Sequence, residues 1–158
     1  MKDKEILEGI KEYFEIYELV GKRTYKKFGE SAWQFMDIRT LHCLLIIRKG
    51  LNKQIIVNDW KFGGSMEQRG LRTYVQNMIK NMIQKKRLYL SPHIFGKAID
   101  FSVKGMNAQE VRYWILQNSV LFPCKIRLEH RLKGKPITWV HLDTFHKESN
   151  PDVYFFDI

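Results

Sequence analysis

Ser91-Pro92-His93-Ile94-Phe95-Gly96-Lys97-Ala98-Ile99-Asp100 sets a histidine in a loop and, seven positions on, an aspartate in the strand that follows. From Ala98 to Val103 apolar and polar residues alternate, so Ile99, Phe101 and Val103 share one face of a strand while Ala98, Asp100 and Ser102 share the other. The Asp100 carboxylate can then look out on an open side while its neighbours pack, and the small residues Gly96 and Ala98 keep the space beside it clear. Downstream, Trp139-Val140-His141-Leu142-Asp143 carries a second isolated histidine, and alternation puts Trp139, His141 and Asp143 on one face. Two imidazoles and a carboxylate suit zinc, and three protein ligands leave the fourth position to water. His93, Asp100 and His141 are therefore the candidate metal ligands.

Outward from this stretch the chain reads as mixed helix and strand. Ile6, Ile10, Phe14 and Tyr17 recur at helical spacing, which predicts a helix over 4–19 ending near Gly21. A second helix is predicted over 38–48, with Asp37 as N-cap and Gly50 closing it. Residues 54–58 read as a short strand. Ser65 and Gln68 stand in capping-box relation ahead of a predicted helix with Leu71, Val75, Met78 and Met82 on one stripe. Asn107 and Glu110 cap another, through Val111, Trp114 and Ile115. Residues 124–132 and 137–143 flank Lys133-Gly134-Lys135-Pro136 as a β-hairpin, and 153–156 adds a strand. The expected architecture is α+β, a small and mostly antiparallel sheet with helices packed on it, in a single domain over 1–158.

Composition narrows the partners. A net charge of +10, from 27 basic and 17 acidic residues, favours a polyanionic partner, although most lysines read as solvated helix faces. No RNP-like segment, zinc-finger spacing or basic stripe interleaved with aromatics is present, so no specific nucleic-acid partner is expected. Cys43 and Cys124 sit in apolar company without CxxC spacing and read as reduced, buried thiols. The charged start of the chain has no apolar signal region and no membrane span follows. Synthesis in the cytoplasm without a signal peptide is the expectation.

With these residues assembled, the chain resembles a known family. SxHxxGxAxD followed by WxH is similar to the zinc peptidases of the M15 type: D-alanyl-D-alanine carboxypeptidases and dipeptidases, and phage L-alanyl-D-glutamate endopeptidases that cut peptidoglycan stems. The Hedgehog signalling domain shares that fold. Ser91, His93, Gly96, Ala98 and Asp100 fill every fixed position of the first motif, and Gly70-Leu71-Arg72 matches the family's GYR element with Leu for Tyr. The resemblance covers roughly residues 37 to 143. It implies a zinc metallopeptidase, a hydrolase with Zn2+ held by His93, Asp100 and His141, and with Arg72 facing the scissile carbonyl or a substrate carboxylate. Arg69 competes for that last role.

Many relatives place a general base as ExxH, but Thr138 stands three residues before His141. Glu129 is the candidate in its place, because the hairpin brings it opposite Val140 or His141 and one step of register decides whether it faces the metal. Asp143 is the alternative base, or with Ser91 a supporting residue beside the ligands. The expected function is cleavage of peptide bonds in peptidoglycan stem peptides by a monomeric phage endolysin or virion-associated lysin, reaching the cell wall after release. The absent ExxH glutamate keeps open an alternative, a non-catalytic zinc-containing binding module of the same fold.

Overall fold

A computed structural model describes residues 2–73, 77–86, 90–146, 148–149 and 151–158. Helix and strand are mixed in an α+β architecture around one five-stranded sheet, in the order β1-β2-β4-β3-β5. The strands are β1 (Ile55–Ile56), β2 (Ala98–Val103), β3 (Ile126–Leu132), β4 (Lys135–Asp143) and β5 (Val153–Asp157). Every pairing is antiparallel except that of β3 with β5. One face of the sheet, with Ile99, Phe101, Leu128, Val140 and Leu142, is the floor of the hydrophobic core. Alternation turns Asp100, His141 and Glu129 to the other face, and the register sets them in one row: Asp100 opposite His141, His141 opposite Glu129, Glu129 opposite Phe156.

The N-terminal third packs against this core, but as several short helices instead of the one predicted over 4–19. These are α1 (Asp3–Lys11), α2 (Ile16–Leu19) and α3 (Lys22–Phe28). Ile6 and Ile10 belong to one helical stripe, whereas Ile16, Leu19 and Val20, all buried, lie off it. Breaking the helix at 12–15 buries both sets, and Glu15 and Glu18 restart it with a reciprocal capping box. α4 (Ile38–Leu51) begins where expected, with Asp37 Oδ1 accepting from the Arg39 and Thr40 amides. It runs through Gly50 to a left-handed cap at Asn52. Gly50 serves close approach instead of a stop, since a Cβ there would lie 2.3 Å from the Trp114 ring.

The helix predicted to start at Ser65 does not start there. Asp59 Oδ1 accepts from the Met66 amide and Asn58 Oδ1 from the Arg69 amide, so 63–70 is a loop built on those two side chains. Leu71 then bridges Val20 in parallel fashion instead of joining a helical stripe. Helix α5 is described over Asn77–Gln84; Val75 lies outside the described residues, as do the side chains of Met78 and Met82. The capping box of α6 (Ala108–Gln117) forms as Asn107 and Glu110 predict. Among the described residues no helix is long and apolar enough to cross a membrane.

Candidate metal centre

His93 is held by a turn that its neighbours dictate. Ser91 Oγ accepts from the His93 amide, Pro92 opens a 3₁₀ turn over Pro92–Phe95, and Gly96 ends it at φ +66°. A Cβ on Gly96 would lie 2.1 Å from the Phe35 carbonyl oxygen, so this turn can seat against the segment leading into α4 only with glycine there. The Asp37 amide donates to the Gly96 carbonyl from that segment (3.1 Å), and the Thr40 and Thr144 hydroxyls share a buried hydrogen bond of 3.1 Å nearby.

The three donors converge. One ligand atom each from His93, Asp100 and His141 lies within 4.8 Å of the others, and all three residues are buried. His93 Nδ1 donates to the Gly70 carbonyl at 2.8 Å, which leaves Nε2 to face the cluster. His93 Nε2 stands 3.3 Å from His141 Nδ1 and 3.4 Å from Asp100 Oδ2, and His141 Nδ1 is 2.7 Å from Asp100 Oδ1. The other nitrogen of His141 is 2.9 Å from Asp143 Oδ2. Each imidazole is thus oriented through the nitrogen that points away from the cluster, the arrangement that fixes metal-binding histidines. The group can hold a metal ion.

Charge is organised around the same atoms. Burial alone would push the Asp100 carboxyl up, but above all the hydrogen bond from His141 holds it well below the ordinary carboxylate range. Burial would depress His141; its bonds to Asp100 and Asp143 outweigh this and its pKa is pushed up to about 9. Burial lowers His93, which Asp100 only partly offsets. Glu129 is pushed up, chiefly by burial. Asp143 is opposed by burial but held low by His141 and by Arg127.

The cluster opens on a cavity of about 640 Å³, lined also by Arg72, Ser91, Glu129, Trp139 and Phe156. Arg72 Nη2 donates to Asp100 Oδ2 at 2.8 Å, and its Nε to the Gln68 carbonyl at 2.8 Å. Arg69, its rival, turns to Ser102 Oγ and does not line the cavity. The register sets Glu129 opposite His141, not Val140, and its carboxylate makes no hydrogen bond or ion pair among the described residues. Asp143 is buried and fully engaged: it accepts from both Nε and Nη2 of Arg127 at 2.8 and 3.0 Å, from the Phe145 amide at 2.9 Å, and it faces His141. Ser91 acts as the N-cap of the histidine turn. The two thiols are free, Cys43 buried and Cys124 half-buried.

Arg127 and Phe156 complete this side of the cavity. Arg127 was legible, being two residues before Glu129 and so on the same strand face. Phe156 was not, because its place depends on the parallel pairing of β5 with β3. No family model, curated protein or solved structure matches this chain.

Proposed function

We propose that this protein is a zinc-dependent peptidase that hydrolyses peptide bonds in peptidoglycan stem peptides, of the M15 type and with the Hedgehog-like fold that resemblance implies, acting as a phage lysin. The observation that carries the reading is the row Asp100, His141, Glu129 across three strands, with His93 joining it and a cavity above. Zinc suits the donors. With ligand distances of about 2.0–2.1 Å, two ligand atoms on a tetrahedral ion stand about 3.3 Å apart. The nitrogens of His93 and His141 are 3.3 Å apart and His93 Nε2 is 3.4 Å from Asp100 Oδ2, while His141 Nδ1 and Asp100 Oδ1 stand closer, at a hydrogen-bond distance of 2.7 Å. The ligand set of two imidazoles and one carboxylate leaves a position open, as catalytic zinc sites do.

When bound there, zinc would lower the pKa of its water towards about 7 and polarise the scissile carbonyl. The rest falls to side chains of the chain itself. Glu129, opposite His141 and without a bonded partner among the described residues, takes the proton of the attacking water and delivers it to the leaving amine. Asp143, saturated by Arg127, His141 and the Phe145 amide, orients His141 instead of exchanging protons. Arg72 steadies Asp100 and lends positive charge to the oxyanion that develops beside it. The net charge of +10 favours approach to an anionic wall.

The test follows new amino groups released from purified peptidoglycan with and without a chelator; release that the chelator stops is the expected result. Thr138, where many relatives carry the ExxH glutamate, favours the second reading, a zinc-holding module without turnover. Stoichiometric zinc with no cleavage of any wall preparation would decide for it.

A further inference from the structure

Arg112 is 2% exposed and feels the Glu129 carboxylate electrostatically, yet among the described residues no carboxylate lies within ion-pair distance of it, and its Nε has no hydrogen-bond acceptor. Burying a guanidinium this way is costly, so its bonds have to do something an apolar residue cannot. Both run to backbone: Nη2 donates to the Trp139 carbonyl at 2.7 Å and to the Ile137 carbonyl at 3.3 Å. Those carbonyls lie where the hairpin loses register. Glu129 pairs with His141 and Arg131 with Pro136, so residues 137–140 of β4 stand opposite the single residue His130 of β3. Such a bulge leaves backbone groups without a strand partner, and a buried carbonyl left so is destabilising. Arg112 comes from α6, whose Val111 and Ile115 sit in the core, and it reaches the bulge from that side. Trp139, on the bulged stretch, lines the cavity together with His141.

We propose that Arg112 is a positioning residue: it stands in for the missing strand partner of the β4 bulge and thereby fixes Trp139 as a wall of the substrate cleft. The substrate part of this rests on the peptidase reading; the placement of Trp139 does not. Losing two hydrogen bonds from a charged donor would free the bulge to relax, an effect that belongs in substrate binding, while Arg112→Lys keeps the positive charge that acts on Glu129.

The experiment uses the zinc-loaded full chain and four variants: Arg112→Met, Arg112→Lys, Trp139→Ala and the Arg112→Met/Trp139→Ala double. The ¹⁵N indole signal of Trp139, assigned with Trp139→Phe, shifts or broadens in Arg112→Met while those of Trp33 and Trp60 stay. On a stem peptide, Arg112→Met raises KM about tenfold, and Arg112→Lys, which keeps the charge near Glu129, leaves kcat little changed. Arg112→Lys recovers part of the loss, and in the Trp139→Ala background Arg112→Met adds nothing further to KM. An unmoved Trp139 indole, or the same KM penalty with and without Trp139, overturns the proposal. Should Arg112→Met not fold, Arg112→Lys supplies the same readouts, because it keeps the cation but not the forked geometry. Wild-type protein that cleaves nothing, with the indole still moved, refutes the peptidase reading and leaves the positioning role standing.

Discussion

The two walls of the cleft are built in opposite ways. On the metal side, His93, Asp100 and His141 each have their outward atoms bonded, to the Gly70 carbonyl, Arg72 and Asp143 respectively, and a glycine locks the turn against the segment leading into α4. On the other side, β3 and β4 slip out of register just past Glu129, whose carboxylate is left without a bond among the described residues. A ligand gains from being held, whereas a proton carrier has to be reachable and basic. The same contrast separates the two carboxylates that compete for the base. Asp143 has its oxygens engaged and its pKa lowered, while Glu129 has its pKa raised.

Substituting one residue in each wall sharpens the contrast. Glu129→Gln should lower turnover by roughly 10²–10⁴-fold with metal content unchanged, measured by amine release beside elemental analysis. Full activity in that variant would return the base to Asp143. Asp143→Asn should act on the metal, weakening affinity by about 10–100-fold in a competition titration against a chromophoric chelator. Loss of turnover with affinity intact would reverse the assignment.

The pH dependence follows from His141. Its pKa of about 9 in the metal-free fold lies above the unfolded value of about 6.5, so its bonds contribute stability that is fully present below about 6.5 and is lost as pH rises through about 9. At neutral pH the metal has to displace one proton from Nδ1, whereas Asp100 is already ionised and His93 already neutral. Zinc affinity should therefore rise about tenfold per pH unit and flatten near pH 9, with one proton released per zinc. Calorimetry in buffers of different ionisation enthalpy measures that proton; none released would contradict the bonding drawn for His141. The smallest effect concerns the buried hydroxyl pair behind the metal wall: Thr40→Val should cost about 1 kcal/mol in urea unfolding. No change would mean that the pair does not brace the wall.

The metal wall was also the more legible from sequence. Alternation in 98–103 and 139–143 fixes which side chains share a face, and Ser91, Pro92 and Gly96 announce a turn through local chemistry alone. The capping residues Asp37 and Asn107 are local signals too, and those helices start where they say. What escaped depends on distant partners. Ser65 and Gln68 look like a capping box, but Asp59 and Asn58 take the amides of that segment instead. The apolar spacing of 4–19 looks continuous until Ile16 and Leu19 require a second direction of burial. The register that turns Glu129 towards His141, and the bulge beyond it, come from pairing between strands, and Arg112, which bonds a carbonyl of the bulge, lies on a separate helix. Hairpin residues alone do not specify either.

The central claim, that a metal held by one wall is worked by a carboxylate on the other, is tested most directly by titrating zinc into chelator-stripped protein while amine release from peptidoglycan is followed. Activity should appear with zinc and saturate at one ion per chain. Cleavage that survives stripping, or one bound zinc without cleavage, would contradict it.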